Sequence, residues 1–402
     1  MRGYLNLPRQ VWLLAVGQVI NRAGALLIPF LAVYLRDHLR LSTEAATLAV
    51  GAWGLGSIFG SLAGGQLADA WSRRGTMLVS LFGSAGIMLG YAYLTSAPAV
   101  IAGTFLLALV ADLFRPASSA MIADLVDEHQ RGPAYALMYT AVNLGFTMAP
   151  VIGGYLLATH VHLVFWGDAG TTCLFGLMVL VAVPDTLPHH TVREPAAPLR
   201  DALVDMFHNR RFVLFCTGAL LTGFVFMQHI ATLPLHMTAS GMAPQVYGRT
   251  IALNGAIVVL LQLPVAQFAA RLPRGATVAA ASIIVGAGFG LTAFAWDAWT
   301  FAATIAVWSL GEVLQMPFMQ AIVADLAPTQ FRGRYLGVFS LSFSVANTVA
   351  TPLGGVVLAR LGGNFVWGAC AVTGLLSALF FHAATRKAAA GTAARSGAHS
   401  GI

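Results

Sequence analysis

Long, uninterrupted apolar stretches recur along the whole chain, and they restrict its fold more than any other feature of the sequence. A helix needs about 20 consecutive apolar residues to cross the hydrocarbon core of a bilayer. The 402-residue chain is 58% hydrophobic and only 9% charged, whereas soluble domains carry about 25% charged residues. The stretches are continuous rather than alternating, which argues against a membrane β-barrel. We therefore expect an all-α integral membrane protein.

Short polar connections separate twelve such stretches, so we predict twelve spanning helices. With the N-terminus inside, most of the 22 Lys and Arg fall on cytoplasmic connections. This bias predicts a multi-pass protein of the cell inner membrane with both termini cytoplasmic. It also explains the net charge of +7 without nucleic acid as a partner. The predicted spans are 11–35, 45–70, 75–95, 98–126, 132–157, 162–183, 210–238, 246–271, 275–296, 299–326, 333–360 and 364–385.

The second half of the chain repeats the first. A shift of 201 residues aligns Phe114–Gly132 with Gln315–Gly333, and the identical positions include Pro, Asp and an Arg-Gly pair. Chance similarity between apolar helices would match Leu, Ala and Val instead, so we infer an internal duplication. Two six-helix halves with a site between them are typical of secondary transporters. The predicted boundaries are 1–183 for the N-terminal half, 184–209 for a cytoplasmic linker, 210–387 for the C-terminal half and 388–402 for a disordered cytoplasmic tail.

The connection after the second span reads GGQLADAWSRR over residues 64–74. It resembles the G-x-x-x-D-[RK]-x-G-[RK]-[RK] signature of the major facilitator superfamily, although Ala70 and Ser72 depart from it. On physical grounds, an acid at this helix end can bind the positive N-terminus of a neighbouring helix, and an arginine can reach Asp124. The resemblance implies a latch that closes the cytoplasmic side, and a generic tight loop is the alternative. The predicted latch residues are Gly65, Asp69, Arg73, Arg74 and Asp124.

The fifth span contains the sequence GFTMAPVIGG at residues 145–154. It resembles the G-x-x-x-G-P-x-x-G-G antiporter motif of the same superfamily and favours the branch of drug:proton antiporters. Small residues four apart let helices touch, and Pro150 removes a hydrogen bond to the carbonyl of Phe146. Ordinary helix packing is the alternative. The matching residues are Gly145, Ala149, Pro150, Gly153 and Gly154.

Ionisable residues at bilayer depth are costly and are functional candidates by default. Asp112 lies at the middle of the fourth span and Glu312 at the middle of the tenth. Proline follows each acid, at Pro116 and Pro317, and weakens the helix beside it. We predict that these acids bind protons, and a static buried ion pair is the alternative. Two arginines, Arg115 on the same helix face as Asp112 and Arg22 across the cavity, are predicted to tune them.

Polar side chains inside the spans are candidates for a substrate cavity, and hydrogen bonding between helices is their alternative role. The sequence has no clustered metal ligands and no P-loop, so we predict neither a metal site nor an organic cofactor, with the proton gradient as energy source. The predicted cavity residues are Asn21, Asn143, Gln228, His229, Asn254, Gln262, Gln315 and Asn347.

Together these features predict a proton-coupled transporter, not an enzyme, that exports small, largely hydrophobic compounds by alternating access. The expected partners are the substrate, protons and membrane lipid, and the monomer is the expected functional unit. A symporter or facilitator for a sugar, peptide or organic acid is the nearest alternative. A membrane sensor or scaffold without transport activity would leave the two acids and their prolines unexplained.

Overall fold

A computed structural model describes residues 7–186, 199–269, 272–328 and 331–386, and every regular element in these ranges is helical. The all-α prediction is confirmed for this part of the chain. The predicted tail at 388–402 lies outside the described residues. The helices are α1 (Arg9–Ala23), α2 (Leu31–Asp37), α3 (Thr43–Ala70), α4 (Arg73–Tyr91), α5 (Ala97–Ala111), α6 (Phe114–Leu125), α7 (Glu128–Thr159), α8 (Val161–Ala182), α9 (Leu199–His208), α10 (Arg210–Phe226), α11 (Thr232–Ala239), α12 (Pro244–Ala269), α13 (Arg274–Leu291), α14 (Ala298–Leu326), α15 (Arg332–Leu361) and α16 (Gly363–Thr385).

Ten helical segments of the described chain are long and apolar enough to cross a membrane. Three of them are tandem pairs, because α1 with α2, α5 with α6 and α10 with α11 each form one span. Two other helices, α4 and α12, match the predicted third and eighth spans in position. They carry more polar residues, since α4 begins with Arg73 and Arg74 and α12 contains Arg249. Both pack along neighbouring spans, α4 against α8 and α12 against α7 and α14.

The first and seventh spans are interrupted at equivalent points. A few irregular residues and a 3-10 turn separate α1 from α2, and a 3-10 turn separates α10 from α11. The second pieces begin at Leu31 and Thr232, which differ by the repeat distance found in the sequence. Pro29 and Pro234 lie at these interruptions and lack an amide hydrogen, which disfavours a continuous helix. The duplication therefore extends to the irregular backbone.

The two halves pack along two seams, α3 with α15 and α7 with α12. A Cβ atom added at Gly248 would lie 2.2 Å from the carbonyl oxygen of Pro150, and one at Gly51 would lie 2.5 Å from Cγ of Pro352. Only a hydrogen atom fits at such distances, so glycine allows the backbones of the two halves to approach closely. Both seams border a central cavity.

At the end of the bundle predicted to be external, Arg36 of α2 connects the two halves. Its guanidinium donates to the carbonyl oxygen of Leu235 at 3.1 Å and to the hydroxyl of Thr238 at 2.7 Å, both on α11. Asp37 accepts two more hydrogen bonds from it, at 2.6 and 3.0 Å. We call this set the Arg36 contact. It joins the outer piece of the first span to the outer piece of the seventh.

The segment predicted as a linker contains the short helix α9. Met206 of α9 is buried against the C-terminal half, and Asp205 accepts a hydrogen bond from the hydroxyl of Tyr335 at 2.5 Å. Asn209 follows the last residue of α9. Its side chain accepts a hydrogen bond from the backbone N–H of Phe212 and so caps α10. The described part of the linker is therefore attached to the C-terminal half.

Candidate functional site

A cavity of about 550 Å³ lies between the two halves, at the level where the first and seventh spans are interrupted. Both halves contribute polar side chains to its wall, and aromatic and methionine side chains supply much of the remainder. All four residues predicted for proton coupling line it. The aromatic and methionine residues of the wall are Trp53, Met88, Phe114, Tyr139, Phe146, Phe226, Met227, Tyr247 and Phe343.

Asp112 lies at the interruption of the fourth span, between α5 and α6. Pro116 has no amide hydrogen for the carbonyl of Asp112, so the predicted local weakness of this helix is borne out by a break. The carboxylate accepts a hydrogen bond from the hydroxyl of Ser57, and its other oxygen lies 3.7 Å from the guanidinium of Arg115. Asp112 is thus a buried acid with both a hydroxyl and a cationic neighbour.

Glu312 lies on α14, which runs without interruption through Pro317. The predicted weakening beside this acid is therefore not visible as a break, unlike in the fourth span. The carboxylate of Glu312 accepts a hydrogen bond from the amide of Asn254 at 2.7 Å, and the same amide donates to Ser309 at 3.0 Å. Among the ion pairs of the described side chains, none includes Glu312. Its bonded partner is neutral.

Arg22 lies near the end of α1, and its guanidinium carbon is 5.4 Å from the centre of the Phe146 ring. The Nε atom is buried and has no hydrogen-bond acceptor. Arg22 is predicted to tune Asp112 and Glu312, but the described side chains place no carboxylate within ion-pair distance of it, so it makes no direct ion pair with either acid. Its guanidinium makes a cation–π contact with Phe146 instead.

Sequence reasoning missed a third acid, Asp168 of α8. It is buried, 7% exposed, and lines the cavity. One turn further along α8, the hydroxyl of Thr172 accepts a hydrogen bond from the amide of Asn21 at 2.8 Å. The signal was available, because an acid inside an apolar stretch is a functional candidate by default.

The structure divides the eight predicted cavity residues into two groups. Five of them line the cavity: Asn21, Asn143, His229, Asn254 and Asn347. The other three, Gln228, Gln262 and Gln315, are not among its lining residues, which corrects their assignment. Gln228 donates to the carbonyl oxygen of Ala350 at 2.9 Å, and Gln315 donates to the hydroxyl of Ser282 at 2.7 Å. Both are buried and connect helices, the alternative role stated for such amides.

The predicted contact between Arg73 and Asp124 is confirmed as an ion pair that joins the start of α4 to the end of α6. Asp124 also accepts from the hydroxyl of Thr186 at 2.8 Å. Arg74 donates to the carbonyl of Leu180. Of the remaining latch residues, Gly65 faces Pro116, whose Cβ would lie 3.9 Å from an added Cβ, and Asp69 lies near the end of α3. The closing motion inferred for this latch remains a prediction.

The C-terminal half contains a second copy of this ion pair. Arg274, at the start of α13, donates to Asp325 near the end of α14 at 2.7 Å. These two residues are the exact repeat partners of Arg73 and Asp124 at the 201-residue shift. The repeat aligns Asp124 with Asp325, and the same shift aligns their arginines, which the predictions from the sequence did not include. The repeat itself was the signal that could have found this contact.

The motif of the fifth span is a packing face against the first span. A Cβ atom added at Gly145 would lie 2.5 Å from Cβ of Arg22, and one at Gly153 would lie 2.7 Å from the carbonyl oxygen of Leu26. Ala149 is fully buried, and Gly154 approaches the start of α12. Helix α7 continues through Pro150. These small residues let α7 lie directly on the interruption of the first span.

The sequence matches the model of one protein family along almost its whole length. The model of the Major Facilitator Superfamily matches residues 14–275 and 230–402, which together cover almost the whole chain. The chain belongs to the major facilitator superfamily. As a member of this superfamily it is a multi-pass membrane transporter, and the predicted family and fold class are confirmed. Transporters of this kind act on small molecules, so the cavity between the halves is the site to examine for a substrate.

Several relatives in the superfamily resemble the chain along most of their length. The uncharacterized MFS-type transporter YqjV of Bacillus subtilis (strain 168) is 26% identical over 87% of this chain and 87% of its own. A Na(+), Li(+), K(+)/H(+) antiporter of Planococcus maritimus is 25% identical over 82% of this chain and 85% of its own. The multidrug resistance protein MdtH of Edwardsiella ictaluri (strain 93-146) is 25% identical over 81% of each chain.

Solved structures share the fold at lower sequence identity. A POT family transporter in complex with a thioalcohol-conjugated peptide superposes with a TM-score of 0.81, and the match covers 96% of this chain and 98% of that one. The identity is only 14%, so this similarity shows the superfamily fold and nothing about the substrate of the present chain.

Proposed function

We propose that this transporter exports small, largely hydrophobic compounds in exchange for protons, by alternating access of the central cavity. The observation that carries the proposal is Glu312, an acid in the cavity wall whose bonded partner is the neutral amide of Asn254. A carboxyl group without a neighbouring cation can gain and lose a proton in a low-dielectric site without breaking an ion pair. A substrate that enters the cavity can then compete with the proton.

The composition of the wall supports hydrophobic substrates. Aliphatic, aromatic and methionine residues together make up the larger part of the lining, and the polar residues are the smaller part. Aromatic faces and flexible thioethers adapt to ligands of different shapes. Two of the named relatives, a cation/proton antiporter and a multidrug resistance protein, support exchange and efflux as the mode of action. The proton gradient is the energy source in this proposal, and no cofactor takes part.

We infer the remaining features from the superfamily and the charge pattern. The protein works as a monomer in the cell inner membrane, and both termini face the cytoplasm. Besides Glu312, the cavity wall contains the charged residues Asp112, Arg115 and Arg22. Their charges alter the electrostatic potential inside the cavity. The Arg73–Asp124 pair and its repeat partner Arg274–Asp325 hold neighbouring helices together within each half during the alternating-access motion.

Proteoliposomes with an imposed pH gradient test this proposal. With ethidium as a fluorescent lipophilic probe, the purified protein should move the probe against the proton flow. Glu312→Gln should abolish the response to the gradient while downhill movement of the probe continues. Ser309→Ala is the matched control, because Ser309 touches the same Asn254 amide but carries no charge.

Two results would contradict the proposal. Full gradient-driven exchange in the Glu312→Gln variant would remove this acid from the coupling mechanism. Movement of probe and protons in the same direction would instead support the alternative of a symporter for a small metabolite. Measuring the internal pH together with the probe separates the two cases.

A further inference from the structure

Helix α9 (Leu199–His208) lies directly before the seventh span, at the end of the bundle predicted to be cytoplasmic. A single residue, Asn209, separates it from α10, which begins the span Arg210–Ala239. The backbone of Asn209 has φ −76° and ψ 82°, and such a ψ value lies outside the α-helical region. Helix α9 therefore does not continue along the axis of the spanning helix. It lies at the level where the seventh span enters the bilayer.

One side of α9 packs on the C-terminal half. Met206 is buried in a cluster of apolar side chains of that half, and Asp205 accepts a hydrogen bond from the hydroxyl of Tyr335 on α15. The amide of Asn209 donates to the carbonyl oxygen of Leu326, at the end of α14, at 3.1 Å. These contacts fix the rotation of α9 about its own axis, so they also define which of its residues face away from the protein.

A second side of α9 is apolar and exposed. Leu203, Val204 and Phe207 are spaced three and four residues apart, which places them on one face of the helix. All three are exposed, and Phe207 is 78% exposed. Val213, in the first turn of α10, is exposed as well, as expected where the span faces lipid. Neighbouring exposed apolar side chains on one face mark a surface that contacts another apolar phase or partner.

Arginines border this apolar side at both ends of the helix. Arg200 is exposed and lies seven residues before Phe207, hence on the same face. Arg210 is exposed at the first position of α10. The exposed polar residues Asp201 and His208 lie on a third side, about 100–120° around the helix from Phe207 at 3.6 residues per turn. Apolar and cationic side chains thus share one side of α9, and the exposed acid lies on another.

We propose that this side of α9 lies in the lipid interface and binds anionic phospholipids. Leu203, Val204 and Phe207 enter the boundary between headgroups and acyl chains, where an amphipathic helix buries its apolar face. Arg200 and Arg210 bind the phosphate groups of the same leaflet, because anionic headgroups attract basic residues beside a spanning helix. An anionic leaflet offers apolar chains and negative phosphates together at the depth of α9, and so matches both properties of this side.

The proposed lipid contact belongs to the C-terminal half. Because Asp205, Met206 and Asn209 attach α9 to α14 and α15, lipid bound to α9 holds this half at a fixed depth relative to the leaflet. Anionic lipid then acts on the C-terminal half directly, and on the N-terminal half only through the seams between the two.

Site-directed spin labelling of the full-length protein in lipid nanodiscs tests the position of α9. A nitroxide is attached at Phe207→Cys in a chain whose three native cysteines are replaced by alanine, and the nanodiscs contain phosphatidylcholine and phosphatidylglycerol. We expect the label to collide with oxygen, which concentrates in lipid, more often than with a water-soluble nickel chelate. Asp201→Cys is the matched control, because it places the same label on the exposed polar side of the same helix, where the nickel chelate should dominate.

Two results would overturn the proposal. If the label at Phe207 is as accessible to nickel as the label at Asp201, this side of α9 faces water. If the label is protected from both reagents, protein covers this side, either another segment of the chain or a second copy. Leu203→Cys reports on the same face and replaces the first label if the Phe207 variant does not fold.

The same label tests the role of charge. In nanodiscs with increasing phosphatidylglycerol, its ratio of oxygen to nickel collisions should rise, and added salt should reduce the rise. One arginine near an anionic surface corresponds to about a fivefold change in affinity, so Arg200→Gln should raise the phosphatidylglycerol fraction needed for half of the change about fivefold. Arg360→Gln is the matched control, because this exposed arginine lies near the end of α15, at the opposite end of the bundle. A ratio that does not depend on phosphatidylglycerol, or a dependence that Arg200→Gln leaves unchanged, would overturn the binding of anionic lipid at this site.

Discussion

The interruptions of the first and seventh spans occupy equivalent positions but lie beside different side chains. The first packs on α8, and the buried acid Asp168 and the cation Arg22 lie in the cavity wall beside it. Around the seventh, the hydrogen-bond partners among the described residues are neutral. Gln228 donates to the carbonyl oxygen of Ala350 and accepts from Thr232, while the hydroxyl of Tyr247 donates to the carbonyl oxygen of His229 at 2.9 Å.

This difference shows how a duplicated fold can become asymmetric without a change of backbone. Both breaks persist because prolines disfavour a continuous helix and neighbouring glycines leave room. The charge near each break does not depend on the backbone, because one or two side chains determine it. The N-terminal half combines Asp112 and Asp168 with two arginines, whereas the C-terminal wall contributes Glu312. A proton therefore has different electrostatic consequences in the two halves.

The largest expected effect comes from crowding the two breaks. A Cβ atom at Gly24 would lie 1.8 Å from Oγ1 and 2.6 Å from Cβ of Thr171, whereas one at Gly354 would lie 1.9 Å from Oε1 of Gln228. The Gln228 side chain is long enough to move aside, but the Cβ of Thr171 is not. Gly24→Ala should therefore lower the free energy of unfolding by about 1–3 kcal/mol, more than Gly354→Ala. Thermal unfolding in detergent measures both.

Gly86→Ala is the matched control for this comparison, because an added Cβ there meets nothing within 4 Å. Removing the obstruction should rescue the first break, so that the Gly24→Ala, Thr171→Gly double variant unfolds at a higher temperature than Gly24→Ala alone. If Gly24→Ala is as stable as Gly86→Ala, the close packing of the first break on α8 is not a structural requirement.

Sequence reasoning predicted the parts of this architecture that depend on periodic or repeated signals. Apolar length predicted the spans, and the 201-residue repeat predicted two halves. Spacing predicted the contact between Arg73 and Asp124, and an acid followed by proline predicted the break beside Asp112. Each of these depends on local physics or on the repeat, both of which can be read along the chain.

The remainder depends on which helices become neighbours. Gln315 and Asn254 look alike in the sequence, yet Gln315 is turned toward Ser282 inside the C-terminal half and Asn254 toward the cavity. Pro317 and Pro116 both lack an amide hydrogen, but of these two spans the fourth is broken and the tenth is continuous. Asp168 lines the cavity because of the way its helix packs against other spans, which its position in the sequence does not indicate.

The neutral contacts of the seventh span should contribute to the free energy of unfolding and should not affect the pH dependence of transport. Gln228→Met removes the amide that bonds Ala350 and leaves that buried carbonyl without its donor. The expected loss is about 1–3 kcal/mol of unfolding free energy, with the pH profile of transport unchanged. Gln262→Met is the control, because Gln262 is a glutamine of α12 that does not line the cavity. A shifted pH profile in Gln228→Met would contradict the distinction between a charged and a neutral break.

The ion pair of the N-terminal half should contribute more to stability than its repeat partner in the C-terminal half. The side chains of Arg73 and Asp124 are 13% and 25% exposed, whereas those of Arg274 and Asp325 are 54% and 67% exposed. Exposed pairs contribute little and are screened by salt. Arg73→Gln should therefore lower the unfolding temperature clearly, and Arg274→Gln only slightly and only at low salt. Equal effects of the two substitutions in high salt would show that exposure does not separate the pairs.

The smallest expected effect concerns the starts of the fourth and tenth spans. Asp297 caps α14 with a reciprocal pair of hydrogen bonds to Thr300, whereas Ser96, the residue before α5, makes no side-chain capping bond. The backbone N–H of Thr300, followed by its hydroxyl, holds the pKa of the Asp297 carboxyl below its usual value. Because the folded pKa is depressed, this stabilisation is complete at neutral pH and is lost as the pH falls through the folded pKa.

Asp297→Ala should thus lower the unfolding temperature slightly at neutral pH and not at all in strong acid, where the wild-type carboxyl is protonated. Asp297→Asn keeps a capping acceptor without a charge, so its stability should not share this pH dependence. Ser96→Ala should have no effect at either pH. If Ser96→Ala destabilises the protein as much as Asp297→Ala, the two halves begin these spans in the same way, and the asymmetry is confined to the breaks around the cavity.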